Sequence, residues 1–140
     1  EGENTWSPYD IIGHLICGEK TDWIIRAKTI LSKSENKIFE PFDRFAQLKE
    51  NQNKSVSDLI TEFKSLRKSN LKELKSLNIS KKDFQLKGVH PEFGEVTLEQ
   101  LISTWVVHDL GHISQISRVM AKQYETNVGP WIAYLGILNK

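Results

Sequence analysis

Apolar residues along this chain recur at three- and four-residue intervals, and stretches carrying proline and glycine separate the periodic segments. The run Trp6-Ser7-Pro8-Tyr9-Asp10 predicts a helix start. Ser7 can cap, Pro8 takes the first helical position where its missing N–H costs nothing, and Asp10 lies near the positive helix end. The helix is expected from about Pro8 to Ser32, with Ile12, Leu15, Ile16, Trp23 and Ile30 as apolar contacts. Gly13 and Gly18 weaken it by about 1 kcal/mol each, and their small size leaves room for a neighbour or a ligand.

Residues 33–54 lose the period, and Glu40-Pro41-Phe42-Asp43-Arg44-Phe45 reads as an ordered loop. A second helix is predicted to begin near Ser55 with Asp58 completing a capping box, carrying Leu59, Phe63, Leu66, Leu74 and Leu77 on one side. The lysine-rich segment around 64–82 reads as a solvated helix face. After an irregular stretch over 80–96, Thr97 and Gln100 form the capping box of a third helix. Leu101, Trp105, His108, His112, Ile116 and Val119 form one stripe of it. A short final helix is expected from about Trp131 to Leu138. With no convincing strand or repeat, the pattern predicts one all-α bundle domain over residues 1–140.

His108 and His112 stand four residues apart on that stripe, so one helix face presents both imidazoles. Burying two such rings without a proton partner or an ion costs about 1–3 kcal/mol each. Spacing leaves a metal pair and a hydrogen-bonded core pair equally open. His14 shares a face with Asp10, Ile11, Cys17 and Thr21, and spacing does not say whether it meets the pair. The run His108-Asp109-Leu110-Gly111-His112 resembles the HExxH zinc-protease helix, but Asp109 is one methylene short and no third ligand follows at the usual separation. Asp109 should point some 100° away from His108, which favours an orienting role over ligation. Asp10 is a candidate acceptor for the other nitrogen of His14, with helix capping the more ordinary use. Cys17 reads as a small buried hydrophobe one turn from His14. His90 precedes Pro91 in a glycine-flanked loop that could cover a pocket, with a turn-stabilising hydrogen bond the more ordinary use. Trp6, Trp105 and Trp131 read as packing anchors, with Trp105 near enough to His108 to line a pocket.

Bulk composition narrows the classes. The 140 residues are 39% hydrophobic and 26% charged, ordinary for a globular protein. A net charge of +1 offers no field for nucleic acid or an anionic membrane. Cys17 is the lone cysteine, so no intramolecular disulfide forms, and a reducing cytoplasm is the expected location. No apolar run has the length of a membrane span. Glu1 in place of Met points to processing or a trimmed beginning.

The segments WSPYDIIGHL, FEPFDRF, GVHPEFGEVTLEQLISTWVVHDLGHISQI and VGPWIAYLGIL together resemble the DinB/YfiT-like superfamily, from about Trp6 to Leu138. That resemblance implies an antiparallel bundle of the four-helix type. It also implies a metal held by one histidine of a WSxxxxxGH segment and two of an HDxxH segment, here His14, His108 and His112. The family bundle usually carries a further helix before the WS segment, which this sequence lacks. Either the chain was trimmed, or a partner protomer or exchanged segment fills the groove, so a homodimer is one expectation. Members of the superfamily include thiol-dependent transferases and isomerases using low-molecular-weight thiols such as bacillithiol or mycothiol, and metal-dependent hydrolases. The expectation is therefore a divalent-metal enzyme acting on a small-molecule substrate. Zn(II) and Ni(II) suit neutral imidazoles best, and Asp10, Asp109 and Glu92 are weak candidates for a general base. The alternative is a non-catalytic bundle with a structural or regulatory ion, or with histidines that merely satisfy one another.

Overall fold

A computed structural model describes residues 5–139. Its elements in chain order are α1 (Pro8–Thr21), α2 (Trp23–Leu31), α3 (Ala46–Glu50), α4 (Val56–Ser76), β1 (Lys87–His90), β2 (Gly94–Thr97) and α5 (Leu98–Lys122). The three longest helices all begin on capping boxes: Ser7 with Asp10, Ser55 with Asp58, and Thr97 with Gln100. Each box satisfies orphan N–H groups of its first turn, so the helix starts read from sequence hold to the residue.

The expected helix over 8–32 is interrupted. Asp22 leaves helical backbone at φ −115°, ψ −81°, although its N–H still donates to the Gly18 carbonyl at 3.0 Å. Thr21 Oγ1 donates back to the Cys17 carbonyl at 2.9 Å, a local bond that bends helices. The result is two helices, α1 and α2, meeting at a kink. Helix α1 is buried almost all round from Ile11 to Glu19, packed against α4, α3, α2 and α5. Ile11 is fully buried where Ile12 is only partly so.

The core joins α2 to α5 through Trp23, Ile24, Ala27, Ile30, Phe39, Leu98, Leu101 and Trp105. Trp23 and Trp105 stack with ring centroids 5.8 Å apart and planes 7° from parallel. Large flat rings in register bury more surface than any aliphatic pair at this position and leave little freedom to slide.

A β-hairpin stands where no strand was expected. β1 and β2 pair antiparallel with Lys87 opposite Thr97 and His90 opposite Gly94, which turns at φ +72°. Each strand has four residues and a single valine, too short to display a period of two. The segment before α3 docks on this hairpin: the Phe39 N–H donates to the Val89 carbonyl and the Val89 N–H to that of Lys37, both at 2.9 Å. The loop over 33–54 is thus ordered, as its proline and aromatics implied, and it carries α3. The C-terminal helix expected over 131–138 is instead two short 3₁₀ segments, Gly129–Tyr134 and Gly136–Leu138. Gly136 and the absence of a side-chain cap explain why no α-helix propagates there. Trp131, expected as a packing anchor, is 69% exposed. No helix is long and apolar enough to cross a membrane among those residues.

Two glycines test this packing in opposite directions. A Cβ on Gly88 would lie 2.5 Å and 2.6 Å from Phe39 ring atoms and 2.9 Å from Ile30, whereas one on Gly111 meets nothing within 4 Å. Gly88→Ala is expected to destabilise by about 1–3 kcal/mol through overpacking. Gly111→Ala, mid-helix in α5, should stabilise by up to about 1 kcal/mol through helix propensity. Thermal melts of the two variants beside the parent check both signs.

Candidate metal centre

His14 lies in the second turn of α1, and His108 and His112 one turn apart in the middle of α5. The two helices run antiparallel here, so Glu19 and Trp23 meet Trp105 while His14 meets the histidine pair. Nε2 of His14 is 3.1 Å from Nε2 of His108, and Nε2 of His112 is 3.2 Å from the same atom. One nitrogen from each ring lies within 4.8 Å of the other two.

These separations match an ion's requirements better than the histidines' own. Two neutral imidazoles bond only if one contributes a hydrogen and the other a lone pair. His108 Nε2 faces two such neighbours with a single in-plane site. Three lone pairs sharing a cation remove that conflict. Tetrahedral bonds of about 2.0–2.1 Å to nitrogen place ligand atoms roughly 3.3 Å apart, close to the two spacings about His108 Nε2. The cluster could therefore hold a metal ion.

The second nitrogens determine which tautomers suit this role. His112 Nδ1 lies 3.0 Å from Gln115 Oε1, so it carries the hydrogen and leaves Nε2 bare. His108 Nδ1 faces Asp109 Oδ1 at 4.0 Å. His14 Nδ1 is buried with no hydrogen-bond partner among the described residues. Burial holds His14 far below the usual histidine range, at about 4, with His112 and His108 adding to the effect. His112 is lowered too, first by burial and then by His108. Both rings are therefore neutral near pH 7 and available as ligands.

Aromatic rings pack around the nitrogens. Trp6 lies 4.9 Å from the His14 ring, Phe42 meets that ring edge-on at 5.4 Å, and Trp23 does the same to His108 at 5.1 Å. The histidines form one wall of a cavity of about 540 Å³, whose other walls include Trp6, Asp22, Arg26, Phe42 and Arg44. His90, Pro91, Glu92 and Phe93 from the hairpin turn close one side, with Phe93 largely exposed. His90 thus reaches the cavity while its Nδ1 accepts the backbone N–H groups of Glu92 and Phe93 at 3.1 Å and 3.3 Å.

Other sequence candidates stand elsewhere. Asp10 Oδ2 accepts from the Ser7 N–H at 2.9 Å and Ser7 Oγ at 2.6 Å, so it caps α1 and does not serve His14. Cys17 is buried away from the cavity with Sγ 3.9 Å from Thr21 Oγ1, and burial raises its thiol. Trp105 is not a cavity wall: it backs Trp23 and donates from Nε1 to Glu19 Oε1 at 3.2 Å. Asp109 lies behind His108 and pairs with Arg67 at 2.7 Å.

Sequence reasoning passed over Asp22, Arg26 and Arg44 as site residues. Asp22 and Arg26 form a buried i,i+4 ion pair on the cavity wall, at the kink between α1 and α2. Burial raises the Asp22 carboxyl despite Arg26 beside it. Their signal was the spacing alone, which on most helices marks a solvated pair.

The depressed His14 has a consequence for the metal-free protein. An unfolded chain protonates this ring near 6.5, while the folded one resists until about 4. Between those values the unfolded state binds more protons, so stability present above 6.5 is lost as pH falls. The loss is expected to be on the order of 3 kcal/mol at most. Chelator-treated protein should melt lower at about pH 4.5 than at about pH 7.5, and His14→Gln should flatten the difference. Parallel profiles for the two proteins would refute the depression.

Comparison with known families agrees with this geometry. No curated protein matches the chain. The family model of the DinB superfamily matches residues 1–116, a span that contains all three histidines, and the chain belongs to that superfamily.

Proposed function

We propose that this protein is a divalent-metal-dependent enzyme acting on small molecules, with His14, His108 and His112 as the protein ligands. The observation that carries this reading is the meeting of three imidazoles, with Nε2 spacings of 3.1 Å and 3.2 Å, on the wall of a solvent-reached cavity. Membership in a typically metal-binding superfamily supports it. Three nitrogen donors leave coordination positions free, the arrangement of catalytic rather than structural sites. Neutral imidazoles favour Zn(II) or Ni(II) over harder ions.

A divalent ion held there would lower the pKa of a bound water or thiol towards neutrality. The chain's own residues supply binding and orientation. Trp6, Phe42 and Phe93 give the cavity apolar walls, and the Asp22–Arg26 pair adds a fixed dipole beside His108. Our reading is a thiol-dependent transferase, with a hydrolase as the variant in which water replaces the thiol. The cavity size suits a small substrate together with a small thiol. The buried, raised Cys17 thiol stands outside the cavity, so the nucleophile is brought in with the substrate. A reducing cytoplasm, where such thiols are kept reduced, is the compartment we assign.

Elemental analysis of protein purified without a histidine tag tests the ligand set. Parent protein is expected to retain stoichiometric divalent metal, and each of His14→Ala, His108→Ala and His112→Ala to lose it. His90→Ala should retain it. Unchanged metal in His108→Ala would remove that residue from the site. A panel of low-molecular-weight thiols with electrophiles, run beside hydrolysable esters and amides, then separates transferase from hydrolase. Turnover of the esters or amides without any thiol would favour the hydrolase.

A further inference from the structure

Behind the histidines, on the side away from the cavity, lies a chain of charged groups that the helix pattern treats as surface. Glu19 of α1 has a fully buried side chain. Its Oε1 accepts from Arg67 Nε at 3.0 Å, Arg67 Nη2 at 2.7 Å and Trp105 Nε1 at 3.2 Å, and its Oε2 accepts from Asn70 Nδ2 at 2.9 Å. The free arm of Arg67, Nη1, reaches Asp109 Oδ2 at 2.7 Å. The other oxygen, Asp109 Oδ1, is buried with no hydrogen-bond partner, and so is His108 Nδ1. These two orphans face each other at 4.0 Å.

Resting on the metal reading above, we propose that Asp109 is the positioning residue of the centre: it holds the His108 ring with Nε2 towards the ion, and Arg67 and Glu19 hold Asp109. Adjacent helical residues normally diverge by about 100°, so a carboxylate next to a histidine addresses it only when something pulls it round. Arg67 supplies that pull from α4, and its planar fork is itself fixed by Glu19 and by stacking over Trp105, 5.2 Å from the ring centroid. Closing the 4.0 Å gap would give the His108 Nδ1–H and Asp109 Oδ1, each buried without a partner, a hydrogen bond to one another. The hydrogen then resides on Nδ1, and the Nε2 lone pair points at His14 and His112.

Charge balance favours the same role. Two carboxylates and one guanidinium leave this partly buried chain with one net negative charge, directly behind the three histidines. Burying such a chain is a poor way to gain stability, since apolar residues of similar size would serve as well or better. A cation on the far side of His108 offsets that charge. Glu62 and Lys20 of the neighbouring α1–α4 contact pair with each other and do not neutralise it.

Zn(II) binding measured by competition with a chromogenic chelator tests the proposal, together with the visible spectrum of Co(II)-substituted protein. Asp109→Asn is expected to weaken Zn(II) binding about 10–100-fold and to shift the Co(II) bands. Asp109→Glu should recover part of the affinity. Arg67→Lys, which keeps the charge but reaches only one of the two carboxylates, should weaken binding less than Asp109→Asn. A merely structural role for Asp109 would lower the melting temperature and leave the Co(II) spectrum in place, and that result overturns the proposal. Because Asp109→Asn can disturb folding, long-range ¹H–¹⁵N spectra of the unmutated Zn(II)-loaded protein give an independent reading. His108 is expected with hydrogen on Nδ1 and zinc on Nε2; the reverse also overturns it. If the parent protein binds no Zn(II), and His108→Ala is indistinguishable from it, the metal reading itself fails.

Discussion

The register of α1 and α2 against α5 is the constraint from which the rest of this structure follows. It is set where Trp23 stacks on Trp105 and Glu19 accepts the Trp105 N–H. His14 stands five residues before Glu19, and His108 and His112 stand three and seven residues after Trp105. At about 1.5 Å per residue, antiparallel helices pinned at one level meet again roughly a turn and a half away. That level is where the three nitrogens converge. A slip of one turn along either helix would separate His14 from the pair by about 5.4 Å. Two buried rings and one charged acceptor therefore fix the site, although none of them is a ligand.

Much of this was legible because the signals were local. The capping boxes of Ser55 with Asp58 and Thr97 with Gln100, and the Ser7 cap ahead of Pro8, depend on residues a few positions apart and survive tertiary context. The pair His108 and His112 was legible for the same reason. His14 was not: its meeting with them depends on packing 94 residues away in sequence, and only the family resemblance pointed to it. The hairpin was missed because each strand has four residues and one valine, too few to show apolar alternation, and the bonds of the Phe39 segment to Val89 come from elsewhere in the chain.

The deeper failure concerned charge. Arg67 falls in a lysine-rich stretch that reads as a solvated face, and Glu19, Asp22 and Arg26 stand among the apolar positions of residues 8–31. Composition treats charged residues as surface because isolated charges are costly to bury. It has no way to register that Glu19 and Arg67, 48 residues apart, cancel most of that cost for each other. Pairs between distant elements leave no periodic trace, so the buried ion chain becomes visible only with the fold.

The two sides of the histidine cluster differ in kind, and the difference bears on what the centre is for. Behind the rings, Asp109, Arg67, Glu19 and Trp105 interlock through hydrogen bonds and a cation–π contact. In front, Arg44 and Phe93 are exposed at the rim of a cavity that reaches the histidine cluster. A structural ion gains nothing from such access, since an open position invites exchange and hydrolysis. Rigid support on one face and access on the other is what a reacting centre requires, because ligand geometry must stay fixed while substrate enters and leaves. The interrupted helix fits this division. By breaking at Asp22, the chain turns an ion pair into the cavity wall, whereas a straight helix over 8–32 would have continued the packed stripe past the histidines.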